Sequence, residues 1–209
     1  QASNAPIGDG AWLIVGGLGG FGLATAEWLA AQGVRKLWLT SRSGDTGKEG
    51  RAQIAALRKS GVSVEMVAND AGKPGDIEAL FNEIDADNTP LKGVIHSAMY
   101  LDDQLFESLD LTRIEAVMKP KIAGAALLDQ ATQDRSLDHF IMYSSVTTLF
   151  GNPGQAPYVA ANAYLESLAA DRRARGLPGL AVGWGPIADI GYLAREDQTR
   201  DLLERRMGG

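Results

Sequence analysis

Between the apolar run Ala11–Val15 and the first helical stretch lies Gly16-Gly17-Leu18-Gly19-Gly20-Phe21-Gly22. Five glycines in seven residues disfavour both strand and helix, so this segment must be a turn. It contains G-x-G-x-x-G as Gly17, Gly19 and Gly22. Placed after a strand and before a helix, that spacing permits a tight turn, close approach of backbone to a pyrophosphate, and an anion on the helix N-terminus. A chain that starts this way is constrained to a strand–turn–helix unit, and the rest of the pattern repeats it.

The periodicity predicts strands at Ala11–Val15, Lys36–Thr40, Val62–Ala68, Leu91–His96, His139–Ser144 and Leu180–Trp184. Helices are expected at Phe21–Gln32, Lys48–Ser60, Pro74–Ile84, Leu105–Val117, Pro120–Thr132 and Gln155–Arg175, with the fourth and fifth separated at Lys119-Pro120. Residues 187–207 read as loop then helix. Apolar strands covered on both faces and alternating with helices mean an α/β, Rossmann-like, doubly wound parallel sheet. Residues 1–10 read as a linker, and 11–209 as one domain.

Composition narrows the function. The 209 residues carry a net charge of −6, so there is no basic surface to recruit nucleic acid. There is no cysteine, which excludes thiol nucleophiles and zinc–cysteine sites. The two histidines, His96 and His139, are far apart, so no metal site is expected. The start has no signal-peptide pattern and no apolar run approaches a membrane span. A cytoplasmic protein with no membrane partner is the expectation.

The end of the second predicted strand reads Thr40-Ser41-Arg42. An acidic residue there would bind the ribose hydroxyls of NAD. Here no carboxylate opposes a 2′-phosphate, and Arg42 offers it a charged fork, so NADPH is the cofactor expected. Gly20 and Phe21 in the first turn, Asp70 and Ala71 after the third strand, and His96, Ser97 and Ala98 after the fourth extend that binding surface. His96, without a partner histidine, is expected to be a packed, hydrogen-bonded side chain rather than a base.

Tyr158 and Asn162 stand four residues apart on one helical face, and Ser144 and Ser145 end the strand before them. Reactive groups in an open α/β sheet gather at the carboxyl ends of strands. Hydride reduction of a ketone leaves an alkoxide to be hydrogen-bonded and protonated. A phenol with a pKa of about 10 needs a nearby positive charge to release its proton readily.

These motifs resemble the short-chain dehydrogenase/reductase superfamily, most members of which carry lysine where this chain has Asn162. Within it the chain is similar to the ketoreductase domains of type I polyketide synthases, where that position is asparagine and the lysine comes from an earlier helix. Lys121 in Pro120-Lys121-Ile122-Ala123-Gly124 matches that segment. His96-Ser97-Ala98, Leu101-Asp102-Asp103, Ser144-Ser145-Val146, Gly151-Asn152-Pro153-Gly154-Gln155 and Tyr158-Val159-Ala160-Ala161-Asn162 fit as well.

The resemblance implies that Tyr158 is the general acid, Ser145 rather than Ser144 holds the substrate carbonyl, Lys121 supports proton transfer, and Asn162 holds the lysine or a water. It also implies Pro186 in the cofactor site and a substrate lid at 187–207. The substrate implied is a β-ketoacyl thioester on the phosphopantetheine arm of an acyl carrier protein. Other synthase domains are the further partners implied, among them a structural ketoreductase subdomain. Leu101, Asp102 and Asp103, with Phe150 where the opposite class has tryptophan, imply the D-hydroxyl (B-type) product. Met99 and Pro157 depart from the pattern and bear on substrate size. A last strand is expected to be missing, leaving the sixth as an edge and the chain a fragment of a larger synthase. A free-standing reductase of a small ketone and an inactive reductase-like scaffold remain as alternatives.

Overall fold

Every residue of strand β1 (Ala11–Val15) is buried, and its side chains alternate between two cores. Leu13 and Val15 join one core with Ile77, Leu80, Phe81, Ala125, Leu128 and Leu165. Trp12 and Ile14 join the other with Leu23, Ala26, Leu29, Ile54 and Leu57. A period-2 strand that is apolar on both faces must be sandwiched, and burying each such side chain fully contributes roughly 1.5–3 kcal/mol.

This is a computed structural model, and it describes residues 7, 8 and 10–185. In chain order the elements are β1, α1 (Gly20–Ala31), β2 (Lys36–Ser41), α2 (Lys48–Lys59), β3 (Ser63–Ala68), α3 (Pro74–Ala86), β4 (Leu91–His96), α4 (Leu111–Thr132), β5 (His139–Ser145), α5 (Thr147–Phe150), α6 (Ala156–Ala174) and β6 (Leu180–Trp184). All pairings are parallel, and the strand order is β3-β2-β1-β4-β5-β6. The six-stranded, doubly wound sheet is the fold read from the sequence. Among the described residues β6 is an edge strand, and the expected lid at 187–207 lies outside them. The chain runs outward from β1 through β2 to β3, then returns to β4 on the other side. The crevice at that reversal is where such sheets take ligands.

Predicted boundaries agree with the structure to within two residues, except around α4. The sequence predicts two helices broken at Lys119-Pro120, but α4 runs unbroken through Pro120. Its packing against α3 and α6 offsets the lost backbone hydrogen bond, a cost of about 3 kcal/mol in isolation. The helix starts at Leu111, later than predicted, because Asp110 caps it by accepting the Arg113 N–H at 2.8 Å. Only Phe106–Ser108, a short 3-10 turn, is helical before that point.

Candidate active site

The glycine turn divides by function. Gly16 has φ +84°, and a Cβ there would lie 2.7 Å from the Ala98 nitrogen. A Cβ on Gly17 would lie 2.6 Å from the Ile14 oxygen, and one on Gly22 2.4 Å from the Gly16 oxygen. These three let β1, α1 and the segment after β4 meet. A Cβ on Gly19 would approach nothing nearer than 3.6 Å. Gly19 is the N-cap of α1, without a side-chain cap, so the first N–H groups of the helix point out bare. That is an anion cradle.

The cradle opens into a cavity of about 360 Å³ lined by Gly19, Gly20, Phe21, Gly22, Ser41, Arg42, Asp70, Ala71, Ser97 and Ala98, all expected from sequence, with Met99 at its rim. Gly16 of the glycine turn also lines it, as do Val15, Tyr100 and Pro120, which were not foreseen. Gly17 and His96 do not line it. Gly17 packs on Ile14 beneath the turn, and the His96 ring faces α4. Pro186 lies outside the described residues.

At the β2 end Arg42 is exposed over the Tyr100 ring, 5.9 Å from its centroid, and makes no ion pair among the described residues. Thr40 and Asn69 are buried cavity residues whose Oγ1 and Oδ1 find no partner among the described residues. Buried polar atoms without partners are uncommon, so these await a ligand or water. Asn69 is anchored through Nδ2 to the Asp76 carbonyl at 2.8 Å. Asp70 is held by Gly72 N–H at 3.1 Å and by its own N–H to Asp76 at 2.9 Å. Ser97 Oγ donates to the Val15 carbonyl at 3.0 Å, which ties the segment after β4 to β1. A cavity lined by bare helix N–H groups, an exposed cation and two buried polar residues without partners among the described residues suits a phosphorylated dinucleotide.

The second cluster lies at the ends of β4 and β5. Lys121 is 2% exposed. Its Nζ donates to the Tyr143 carbonyl at 2.7 Å and lies 5.4 Å from the centre of the Tyr158 ring. Burial pushes its pKa from 10.5 down to about 7. The Tyr158 phenol is pushed above 10, first by burial, while Asn162 and Ser145 pull it back and the Asp103 charge raises it. A protonated phenol beside an ammonium that exchanges its proton near neutrality is a proton donor with a means of reloading.

Ser144 and Ser145 separate cleanly. Ser144 Oγ donates to Glu166 at 2.7 Å and is buried against the Asn162 carbonyl. Ser145 Oγ accepts from Thr147 Oγ1 at 3.0 Å, keeping its own proton to donate toward Tyr158 or a substrate oxygen. Asn162 is fully buried. Its Nδ2 donates to the Tyr158 carbonyl at 3.0 Å and its Oδ1 is unpartnered among the described residues. It does not hold Lys121 directly; the Tyr143 carbonyl does. Glu166 was missed, though it stands four residues past Asn162, the spacing that shares a helix face. Tyr143 acts through its backbone, and side-chain patterning carries no signal of that.

The Leu101–Asp103 segment is fastened over the start of α6. A single nitrogen of Arg113, Nη1, donates to both Asp102 carboxylate oxygens at 2.8 and 2.9 Å. Gln155 donates to Asp103 at 2.8 Å, and Gln104 N–H to the Gly154 carbonyl at 2.9 Å. Pro157 is buried in the first turn of α6, one residue before Tyr158, while Phe150 on α5 is 72% exposed.

A doubly wound sheet with a glycine cradle at its reversal and a Tyr–Ser–Lys–Asn cluster beside it defines a dinucleotide-binding reductase architecture. Comparison with known proteins agrees. The KR domain family matches residues 10–189. A polyketide synthase-nonribosomal peptide synthetase of Aspergillus clavatus is 40% identical over 188 residues, 90% of this chain and 5% of that protein. A phenolphthiocerol/phthiocerol polyketide synthase of Mycobacterium tuberculosis is 40% identical over 183 residues, 88% of this chain and 8% of that protein. A solved structure of A-type ketoreductases from a modular polyketide synthase superposes with a TM-score of 0.91 at 36% identity, covering 98% of this chain and 43% of that one. The chain belongs to the KR domain family, the ketoreductase domains of polyketide synthases within the short-chain dehydrogenase/reductase superfamily. It spans less than a tenth of the length of these two synthases.

Proposed function

We propose that this chain is the catalytic half of a β-ketoacyl reductase, active with NADPH on a β-ketoacyl thioester carried by an acyl carrier protein of a cytoplasmic synthase. Bound NADPH supplies the hydride. Tyr158 donates the proton to the forming alkoxide, Ser145 hydrogen-bonds the carbonyl oxygen, and Lys121 sustains the phenol's proton supply. Asn162, through its free Oδ1, takes a water between lysine and solvent. Arg42 binds the 2′-phosphate, the α1 N-terminus the pyrophosphate, and Asp70 with Ala71 the adenine edge. The observation that carries this reading is the burial of the Lys121 ammonium 5.4 Å from the Tyr158 ring. A charge is costly to bury without a task or a counter-ion.

The D-hydroxyl product is proposed from Leu101-Asp102-Asp103, whose Asp103 is bonded to Gln155 three residues before Tyr158. Two similar structures are described as A-type and A1-type, so product configuration is the deciding measurement. Incubation with NADPH and a β-keto thioester should yield mainly the D-alcohol by chiral chromatography. Mainly L-alcohol refutes the stereochemical assignment, and no alcohol refutes the activity.

A further inference from the structure

His96 ends β4 with its ring sealed from solvent, 1% exposed. Its neighbours Ser97 and Ala98 line the cavity, but the imidazole turns to α4. Nε2 lies 3.3 Å from the Lys121 carbonyl oxygen, and Nδ1 has no partner among the described residues. A carbonyl only accepts, so this contact requires the proton on Nε2; the Pro120 carbonyl also acts on the ring. Burial, and then the nearby Lys121 ammonium, push the ring's pKa from 6.5 to about 4, so at neutral pH it is an uncharged donor.

The contact is close to Gly124, where a Cβ would lie 3.1 Å from the ring's Cε1, 3.3 Å from Nε2 and 3.1 Å from the Ala71 Cβ. It falls where α4 is weakest, since Pro120 contributes no N–H to the helical ladder one residue before Lys121. Lys121 is therefore held twice, its backbone from β4 by His96 and its ammonium from β5 by the Tyr143 carbonyl.

We propose that His96 is a positioning residue for Lys121: its Nε2–H fastens the Lys121 backbone to β4 and so sets the reach of the ammonium to Tyr143 and the Tyr158 ring. The inference rests on the reductase reading given above. The experiment compares the wild-type chain with His96→Leu, His96→Gln and Gly124→Ala, each assayed with NADPH and a β-keto thioester and melted. His96→Leu fills the space without the donor, so kcat should fall about tenfold or more, as a misplaced catalytic group costs, with KM unchanged. His96→Gln, whose amide nitrogen can stand where Nε2 stands, should recover most of that loss. Gly124→Ala should lower kcat as His96→Leu does, with NADPH affinity also weakened because its Cβ presses on Ala71.

Wild-type kcat in His96→Leu, or equal loss in the Leu and Gln variants, would overturn the proposal. A readout free of turnover is the nitrogen-15 NMR spectrum of the wild-type imidazole, which decides even if a variant fails to fold. Protonated Nε2 is expected, and protonated Nδ1 overturns the anchoring. Should the wild type reduce no thioester, the activity reading fails by itself while the tautomer still judges the anchor.

Discussion

At the β1 end of the crevice the working surface is main chain: bare N–H groups of α1, reached because Gly19 and Gly20 carry no side chains. At the β5 end it is side chain: a phenol, a hydroxyl, an amide and a buried ammonium from β5, α6 and α4. The two regions fail differently. The first is spoiled by adding an atom and the second by removing one. Binding a constant group, a pyrophosphate, needs only shape and a local dipole. Moving a proton needs groups of matched acidity, and burial deep in the fold creates that match.

The sharpest test of this contrast is Tyr158→Phe. It keeps the ring and removes the proton, so turnover should fall on the order of 10² or more while NADPH affinity, by fluorescence titration, stays unchanged. A coupled loss of both would erase the distinction between the regions. The converse test is Gly22→Ala, whose Cβ meets the Gly16 oxygen at 2.4 Å and the Gly17 Cα at 2.5 Å. Backbone on both sides has nowhere to go, so denaturant melts should show a loss of roughly 1–3 kcal/mol, as overpacking costs, and weakened NADPH binding.

The buried lysine gives the Tyr158 cluster a pH signature. Between its folded pKa of about 7 and its ordinary 10.5, the unfolded chain holds a proton that the folded chain has released. Stability therefore rises with pH across that window, at most about 1.4 kcal/mol per pH unit. Lys121→Met should remove that rise, and an unchanged pH profile of melting would show that the lysine is not desolvated. A smaller change is expected from Arg42→Ala, at an exposed and salt-screened site. NADPH affinity should drop about tenfold and NADH affinity barely move, one charge-assisted contact being lost. Equal loss for both cofactors would remove Arg42 from the phosphate site. Smallest in stability is Gly19→Ala, whose Cβ meets only the Gly16 oxygen at 3.6 Å. The melt should shift within about 0.5 kcal/mol, yet NADPH binding should weaken because the added methyl occupies the cradle.

The cavity lining was largely legible in the sequence because its parts are local. The glycine turn, Ser41-Arg42, Asp70-Ala71 and Ser97-Ala98 each lie at or just past the end of a strand, and a parallel sheet brings successive strand ends to one edge. His96 shows the limit of that logic. It too follows the pattern, but in the last position of β4 its ring faces α4 and not the cavity, which one residue of strand alternation decides. Pro120 misled in the same way, since a helix breaker in isolation is carried within α4 by neighbouring helices.

By itself the sequence determined the strand–turn–helix repeat, the doubly wound class, the bare helix N-terminus and the set of residue types able to donate a proton. These follow from propensity and from periods of 2 and 3.6, which act over a few residues. Tertiary structure supplied the physical ground for separating two adjacent serines, Ser144 Oγ donating to Glu166 while Ser145 Oγ accepts from Thr147 and keeps its proton to donate. It also decided that Lys121 rests on the Tyr143 carbonyl rather than on Asn162, and that its ammonium is desolvated enough to titrate near 7. Those outcomes depend on distances between elements far apart in the chain and on the water excluded between them, and no local pattern encodes either.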